Sequence, residues 1–248
     1  MTSNFPTQFA IISDIHGNLP ALEAVLADID KQGIKDIYCC GDIVGYGANP
    51  NECLDIVIGK LKIPTIAGNH DHAAIGIVDT KYFNEIAKKA ITWTEEALTE
   101  ENRERLQALP MKICIDPVVF VHSSPRDPEK WKYIVTMGDA RDNFNYFEGQ
   151  FCFIGHSHHP FIIEKGEGSI GTPEDLEIIL QPDKRYLVNV GSVGQPRDKI
   201  PKAAYAICDL ENEKLEIIRV DYNIALAKKA IYDACLPKEL AERLDIGW

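Results

Sequence analysis

The sequence lacks any long apolar run, and no window reaches the ~18 apolar residues that a membrane-spanning helix needs. It also lacks an opening segment with a basic start and an apolar core, which is the pattern of a secretion signal. These two absences argue against a membrane protein and against a secreted one. We therefore expect a cytoplasmic protein without a membrane partner.

Positive charge is scarce as well. The chain has 26 Lys and Arg residues against 38 Asp and Glu residues, which gives a formal net charge of −12. A surface of this charge repels the phosphate backbone of nucleic acids unless a local site reverses the sign. General nucleic-acid binding is therefore not expected.

The sequence also lacks the cysteine pattern of a disulfide-bonded protein. Its seven cysteines, an odd number, lie mostly within apolar runs, and no C-x-x-C pair occurs. This pattern is typical of buried free thiols. No repeat, low-complexity tract or linker interrupts the chain, and 45% of its residues are hydrophobic. Residues 1–248 are therefore predicted to form a single domain with a sizeable core.

What the first third does contain is an alternation of strands and helices. Apolar runs predict strands at residues 9–12, 36–40 and 63–67. Between them, Asn18 is a candidate cap for a helix that ends near Gly33. Asn49 and Pro50 likewise predict the start of a helix that extends to about Leu61. This alternation favours an α/β fold with a parallel sheet and covering helices.

The rest of the chain begins with a predicted helical insertion at about residues 80–110, where Thr99 is a candidate cap. A short helix is predicted at about residues 139–147, and a C-terminal helical segment at about residues 223–245. Further strands are predicted at residues 112–115, 118–122, 151–155, 161–165, 177–181, 185–190, 203–208 and 214–220.

Polar side chains that can bind metals follow five of the predicted strands. Carboxyl ends of parallel strands converge on one crevice. The side chains predicted to meet there are Asp14, His16, Asp42, Asn69, His122, His156 and His158. Side chains two residues apart in an extended segment point to the same side. The side chains of Asp14 and His16 can therefore reach one common position, and those of His156 and His158 can do the same.

These seven side chains suffice to hold two metal ions. Oxygen and imidazole donors without thiolate select divalent ions such as Mn, Fe or Zn. Two such ions bring four positive charges, of which Asp14 and Asp42 remove two, so the pocket stays cationic and attracts phosphate. A metal pair about 3.5–4 Å apart can deprotonate a bridging water and stabilise an in-line phosphoryl transfer.

The order of the motifs resembles the calcineurin-like metallophosphoesterase superfamily over residues 9–195. The motifs that carry the resemblance are Asp14-x-His16, Gly41-Asp42-x-x-Gly45, Gly68-Asn69-His70-Asp71, His122 and Gly155-His156-x-His158. Residues 13–18, 41–47 and 189–197 further resemble small bacterial phosphodiesterases related to diadenosine-tetraphosphatase-like enzymes. The resemblance implies two packed mixed β-sheets flanked by helices, a four-layer sandwich.

The resemblance also implies a role for each residue. One metal would be held by Asp14, His16, Asp42 and His158, and the other by Asp42, Asn69, His122 and His156, with Asp42 as the bridge. His70 would bind the phosphoryl oxygen or protonate the leaving group without ligating a metal, and Asp71 would orient it. The two cofactors would be divalent ions (Mn, Fe, Zn, Ni or Co), with Mn as the expected activator.

The chain departs from the family pattern at one point. Protein phosphatases and dinucleotide hydrolases of the superfamily have an arginine just after the second motif, where this chain has Gly45-Tyr46-Gly47. Arg126 and Arg197 are candidate replacements because a guanidinium binds phosphate bidentately, and a surface ion pair is the alternative for each. Tyr46 and Asn69 are further candidates for substrate binding, with core or rim packing as the alternative for Tyr46.

The sequence therefore predicts a dinuclear-metal-dependent phosphoesterase. It would hydrolyse a small phosphodiester, or a nucleotide-type phosphoester, by in-line attack of a metal-bridging hydroxide, with His70 assisting the leaving group. The alternatives are a phosphomonoesterase, a phosphoprotein phosphatase, or a scaffold of the same fold without activity. The intact ligand set and His70 favour the enzyme. The expected partner is a small phosphorylated substrate, and the sequence leaves open whether the protein forms a homo-oligomer.

Overall fold

Two β-sheets packed face to face form the centre of the computed structural model, which describes residues 5–248. The first four residues of the predicted domain lie outside the described range. The strands are β1 (Gln8–Ile12), β2 (Ile37–Cys39), β3 (Lys112–Ile115), β4 (Val118–Val121), β5 (Phe151–Ile154), β6 (Phe161–Gly166), β7 (Ser169–Gly171), β8 (Glu177–Ile179), β9 (Arg185–Asn189), β10 (Ala203–Asp209) and β11 (Lys214–Val220).

Both sheets are mixed. The first has the strand order β2-β1-β10-β11-β8, in which only β1 and β2 run parallel, with Ala10 opposite Ile37. The second has the order β3-β4-β5-β9-β6-β7, in which β4, β5 and β9 run parallel and the outer pairs are antiparallel. The implied arrangement of two mixed sheets flanked by helices is confirmed.

Helices cover the outer faces of the sheets. They are α1 (Leu19–Lys31), α2 (Pro50–Leu54), α3 (Asn69–Ala74), α4 (Glu85–Ala97), α5 (Glu100–Gln107), α6 (Met137–Asn143), α7 (Ile224–Asp233) and α8 (Lys238–Glu242). Short 3₁₀ turns lie at Thr80–Tyr82, Pro128–Lys130 and Arg243–Asp245. No helix within residues 5–248 is long and apolar enough to cross a membrane.

Aromatic side chains fill the space between the two sheets. Phe9 from β1 and Tyr38 from β2 pack against Phe120 from β4 and Phe153 from β5. The rings of Tyr38 and Phe120 stack with their centroids 4.5 Å apart. Burying each such side chain contributes roughly 1.5–3 kcal/mol, so this layer holds the strand ends of both sheets in one place.

The predicted caps are confirmed at two helices. Asn18 accepts the backbone N–H of Ala21 at the start of α1, and Thr99 accepts that of Asn102 at the start of α5. Asn49, in contrast, makes no capping hydrogen bond at α2. This helix is α-helical only to Leu54 and continues as a π-helical turn at Asp55–Lys60.

The predicted strand at residues 63–67 is wrong in extent. Its ladder is reduced to one parallel bridge between Cys39 and Thr65, because Pro64 has no backbone N–H to donate. The helix predicted at about residues 139–147 begins earlier, at Met137, where Thr136 and Asp139 form a capping box. The C-terminal helical segment is divided between α7 and α8, with Pro237 as the cap of α8.

Candidate metal centre and substrate cavity

The predicted ligands lie in loops at one edge of the two sheets, just after β1, β2, β4 and β5, and at the start of α3. Backbone hydrogen bonds tie these loops together. The N–H of Asp14 donates to the carbonyl of Gly41 at 2.9 Å, and the N–H of Gly155 donates to the carbonyl of His122 at 2.9 Å. All seven predicted ligands are buried, and none is more than 7% exposed. The sheet edge thus brings together side chains that are far apart in the sequence.

The backbone of the ligand loops is not extended. Five of the predicted ligands have a positive φ between 51° and 66°: Asp14, His16, Asp42, His156 and His158. The expectation that each ligand pair lies in an extended segment is therefore wrong, although the members of each pair do converge. A left-handed conformation costs on the order of 1–3 kcal/mol for a residue with a Cβ, and such residues cluster at functional sites.

The donors form two adjoining groups. In the first, Nε2 of His158 lies 3.1 Å from Oδ1 of Asp14 and 3.0 Å from Nε2 of His16. In the second, Nε2 of His122 lies 3.3 Å from Oδ2 of Asp42 and 3.2 Å from Oδ1 of Asn69.

Asp42 connects the two groups. Its donor atoms and those of His122 and His156 lie within 4.8 Å of one another, and its Oδ2 also lies 3.7 Å from Nε2 of His16 in the first group. Both sets of residues therefore have the proximity that two metal sites need, and the assignment of each ligand stays a prediction.

Hydrogen bonds to backbone carbonyls fix which nitrogen of each histidine faces the centre. Nδ1 of His16 donates to Val44 at 3.0 Å, and Nδ1 of His122 donates to Cys40 at 2.7 Å. Nδ1 of His158 donates in the same way, to the carbonyl of Gln195 at 2.6 Å. A carbonyl only accepts, so each of these Nδ1 atoms carries a proton and each Nε2 is the nitrogen that can present a lone pair to a cation. Burial opposes protonation of His122, but the charge of Asp42 raises its pKa to about 9, so a cation bound at its Nε2 would take the place of a second proton.

His156 has the opposite tautomer, because its Nε2 donates to the carbonyl of Trp131 at 2.9 Å and its Nδ1 is left to coordinate. Such contacts to the far nitrogen are typical of metal-binding histidines. The lone pairs of His16 and His158 face each other at 3.0 Å, an arrangement that a cation stabilises. The donor set therefore fits divalent ions.

The charges of the centre point the same way. Burial alone would raise the pKa of Asp42, but the positive charge of His122, whose Nε2 lies 3.3 Å from its Oδ2, holds it far below its usual value. Burial likewise opposes ionisation of Asp14, yet His158 and His16 keep its pKa well below the usual range. Both carboxylates are therefore ionised and able to coordinate near neutral pH.

Thiolates are not available as competing ligands. Burial raises the pKa of Cys39 and that of Cys40, both of which lie directly before Gly41. The two side chains therefore stay protonated at neutral pH, and a protonated thiol is not a metal ligand. The donors at this sheet edge are thus oxygen and nitrogen atoms only, as the sequence predicts.

His70 lies beside the two groups. Its donor atoms and those of His16 and Asp42 lie within 4.8 Å of one another, and its buried Nδ1 has no hydrogen-bond partner among residues 5–248. Burial lowers the pKa of His70 well below the usual value, and the charge of Asp42 opposes this shift only in part. His70 is therefore a neutral imidazole at neutral pH, able to donate one N–H.

Asp71 does not orient His70 in the way that the family resemblance implies. Its Oδ1 accepts the backbone N–H groups of Ile43 and Val44, and its Oδ2 accepts those of Asp42 and Gly68. These four backbone N–H groups occupy both oxygens of the carboxylate, which leaves neither oxygen to accept a hydrogen bond from His70. Asp71 therefore holds the loop that carries Asp42 against the start of α3, and its role is one of positioning.

Tyr46 and Gly45 hold the ring of His70 instead. The centroid of the Tyr46 ring lies 4.4 Å from that of His70. Gly45 has φ +92°, and a Cβ at this position would lie 2.5 Å from Nδ1 of His70. The contact leaves no room for a methyl group, so the imidazole fits only because residue 45 is glycine.

Gly45→Ala is therefore expected to displace His70 while both metals are retained. We expect a loss of about 1–3 kcal/mol in stability from the strained backbone, and a loss of activity similar to that of removing His70. The control is Gly33→Ala, because Gly33 has φ +77° with no atom within 4 Å of its Cβ position. Urea denaturation, metal analysis and phosphodiester assays of both variants separate the two effects. Equal activity in the two variants would contradict the positioning role.

A cavity of about 530 Å³ opens beside this centre. Asn69, His70 and His156 line this cavity, and its wall is rich in aromatic side chains. The aromatic residues of the wall are Tyr46, Phe83, Trp131, Tyr133 and Trp248. The ring of Tyr133 stacks on that of His156 with the centroids 4.1 Å apart. Asn69 and Tyr46 both line this cavity, and their contact with substrate stays a prediction. Cavities of this size bind small molecules.

The two candidate arginines have different fates. Arg197 lines the cavity, with its guanidinium 5.5 Å from the centre of the Tyr46 ring. Arg126 does not line it and forms an ion pair with Asp142 over the ring of Tyr146. Of the two alternatives left open for Arg126, a phosphate ligand or a surface ion pair, the structure therefore shows the ion pair.

Sequence reasoning missed Arg243. This residue begins the 3₁₀ turn after α8 and lines the same cavity as Arg197. Arginine in a C-terminal helical segment is ordinarily a surface residue, so no signal in the sequence marks it. Only the packing of α7 and α8 beside Tyr46 brings it to the site.

Comparison with known proteins shows the family. Residues 8–213 match the calcineurin-like phosphoesterase superfamily domain. An uncharacterized protein of Methanocaldococcus jannaschii is 46% identical over 245 residues, which cover 97% of this chain and 98% of the relative. The metallophosphoesterase of Sphaerobacter thermophilus has a similar structure, with a TM-score of 0.84, 38% identity, and coverage of 97% of this chain and 99% of the other.

A hypothetical protein of Pyrococcus horikoshii shares the fold with a TM-score of 0.77 at 22% identity, over 97% of this chain and 98% of the other. The buried carboxylates and imidazoles at the sheet edge are candidate metal ligands for a member of this family. The chain belongs to the calcineurin-like phosphoesterase superfamily and is a metal-dependent hydrolase of phosphoesters.

Proposed function

We propose that the protein is a dinuclear-metal phosphoesterase that hydrolyses a small phosphodiester or a nucleotide-type phosphoester. The observation that carries the proposal is the position of Asp42. Its Oδ2 lies 3.3 Å from Nε2 of His122 in one donor group and 3.7 Å from Nε2 of His16 in the other. A carboxylate between two sets of imidazole lone pairs suits a pair of divalent ions.

When bound, two divalent ions would activate water and neutralise charge on the phosphoryl group. The chain's own residues supply the rest. Asp14 and Asp42 stay ionised, and the backbone carbonyls keep the histidine tautomers that leave one nitrogen of each ring free. His70 is neutral and can donate its N–H to a phosphoryl or leaving oxygen.

Two finer assignments belong to the same proposal. Oxygen and imidazole donors without thiolate favour Mn as the activating ion, although the same donors accept Fe, Zn, Ni or Co. A cytoplasmic location is supported by the seven free cysteines, five of which are buried and none of which is disulfide-bonded.

The cavity supports a diester in preference to a monoester. No arginine follows the second motif, and Tyr46 places an aromatic ring beside His70 at that point. A monoester dianion gains most from an additional guanidinium next to the metals. A diester carries one negative charge and a second organic group, for which the aromatic wall beside His70 provides space.

The test is a matched pair of substrates with Mn-reconstituted protein. We expect kcat/KM for bis(4-nitrophenyl) phosphate to exceed that for 4-nitrophenyl phosphate by about tenfold or more. The reason is that only the diester has a second aryl group to pack against the aromatic wall of the cavity. Chelated protein without added ion is the control and should hydrolyse neither. A higher value for the monoester would make the protein a phosphomonoesterase. Failure to hydrolyse any phosphoester with metal bound would support the inactive scaffold.

A further inference from the structure

Two arginines in the cavity lack a carboxylate partner. Nη2 of Arg197 donates to Oε1 of Gln195 at 2.9 Å, and Nη1 of Arg243 donates to the same oxygen at 3.3 Å. Both guanidinium groups thus meet at one neutral amide. Within residues 5–248, neither forms an ion pair, whereas Arg126 and Arg219 each pair with an aspartate. The Nε atoms of Arg197 and Arg243 are buried without a hydrogen-bond partner.

This pair is an unfavourable arrangement for the protein alone. Two positive charges lie close together and partly out of water, with Gln195 only 2% exposed between them. Burial and the charge of Arg197 lower the pKa of Arg243. A partly buried cation without a counter-charge costs free energy that a bound anion recovers. The arrangement is thus incomplete until an anion binds.

The pair has a fixed position relative to the metal centre. The backbone carbonyl of Gln195 accepts a hydrogen bond from Nδ1 of His158. The backbone N–H of Arg197 donates to the carbonyl of His158 at 3.3 Å. The side chain of Arg197 lies over the ring of Tyr46, which packs against His70. The charge of Arg197 acts on His70 and His158, and it acts on Arg243 as well. The positive charge therefore extends from the centre along the cavity wall.

We propose that Arg197 and Arg243, joined by Gln195, form a binding site for a second phosphate group of the substrate. This inference rests on the proposed function and names its substrate class: a phosphodiester whose organic part carries a further phosphate. The scissile phosphate binds at the metal centre. The second phosphate binds the two guanidinium groups, whose planar donors suit phosphate oxygens. The organic group between the two phosphates contacts the aromatic side chains of Tyr46, Trp131 and Tyr133 in the cavity wall.

A pair of nucleotide esters tests the site. Thymidine 5′-(4-nitrophenyl phosphate) and the same compound with an added 3′-phosphate differ only in the second anionic group. We expect the 3′-phosphate to raise kcat/KM by about tenfold to hundredfold in the wild type, mainly through a lower KM, since charge-assisted hydrogen bonds to two arginines are added. Arg243→Gln should remove most of this gain, so that the two esters are hydrolysed with nearly the same kcat/KM in this variant.

The matched control is Arg126→Gln, because Arg126 is an arginine outside the cavity with its own carboxylate partner. This variant should keep the full gain. A wild type without a gain, or an equal loss in both variants, would overturn the proposal. A 3′-carboxymethyl analogue with the same gain would overturn the assignment to phosphate. Thermal unfolding of each variant shows whether the fold is retained, and Arg243→Lys, which retains the charge, should recover part of the gain.

Binding to chelated protein separates this inference from the proposed function. Calorimetry with thymidine 3′,5′-bisphosphate and thymidine 5′-monophosphate requires no metal and no turnover. We expect tighter binding of the bisphosphate in the wild type and equal binding of both nucleotides in Arg243→Gln. If neither ester is hydrolysed but this difference is found, the diesterase proposal fails and the phosphate site stands. If the esters are hydrolysed but no difference is found, the phosphate site fails alone.

Discussion

Asp42→Asn is expected to lose tightly bound metal and nearly all hydrolysis, with a drop in kcat on the order of 10³ or more. The estimate follows because metal ions contribute several kcal/mol of transition-state stabilisation, and each 1.36 kcal/mol is a factor of ten. Asp42 is the carboxylate that lies within 4 Å of both His16 and His122. Asparagine removes its charge, so two neighbouring dications would lose their shared counter-charge.

The fold should survive this substitution. Oδ1 of Asp42 accepts the backbone N–H of His70 at 2.8 Å, and the amide oxygen of asparagine can accept the same hydrogen bond. The control is Asp142→Asn, which makes the same chemical change in a surface ion pair. Elemental analysis after gel filtration and a diester assay give the two readouts. Asp42→Asn protein with two tightly bound ions per chain would contradict the bridging assignment.

His70→Ala is expected to keep both metals and to lose activity by about 10²–10³, the range for removing one hydrogen-bond donor to a developing negative charge. The loss should be larger for nucleoside and alkyl leaving groups than for nitrophenolate. A neutral imidazole is a weak acid, and the structure keeps the pKa of His70 well below its usual value. Its N–H therefore stabilises a strongly basic leaving oxygen much more than a weakly basic one.

A leaving-group series with wild type and His70→Ala measures this difference. His72→Ala is the control, because His72 lies on the same helix and packs on Trp131 outside the donor groups. Equal losses across the series would assign His70 to the phosphoryl oxygen and not to the leaving group. Loss of a metal in His70→Ala would instead make His70 a ligand, which its proximity to His16 and Asp42 allows.

The donors of the centre could be predicted because their positions are set by chain order. Residues directly after parallel strands lie at one edge of a sheet, and this rule predicts the convergence of Asp14 and Asp42, which follow the parallel strands β1 and β2. His122 follows β4 of the second sheet, which packs on the first. Local chemistry also predicted the caps at Asn18 and Thr99. Such features depend on a few neighbouring residues, so one sequence is enough to find them.

Features that depend on distant packing could not be predicted. Asp71 looked like a partner for the adjacent His70, but its four hydrogen bonds go to backbone groups, three of them in the loop after β2. The strand expected at residues 63–67 is shortened to one bridge beside β2. Arg243 reaches the cavity only through the packing of the C-terminal helices on Tyr46. In each case the decisive contact joins parts of the chain that no local pattern connects.

The most direct test of the dinuclear centre is a titration of chelated wild-type protein with Mn²⁺, with bound metal and diester hydrolysis measured on the same samples. The two donor groups around Asp14 and Asp42 predict that bound metal rises to two ions per chain and that hydrolysis reaches its maximum only when the second ion binds. Full hydrolysis in the presence of chelator, or saturation of both metal and activity at one ion per chain, would contradict the account.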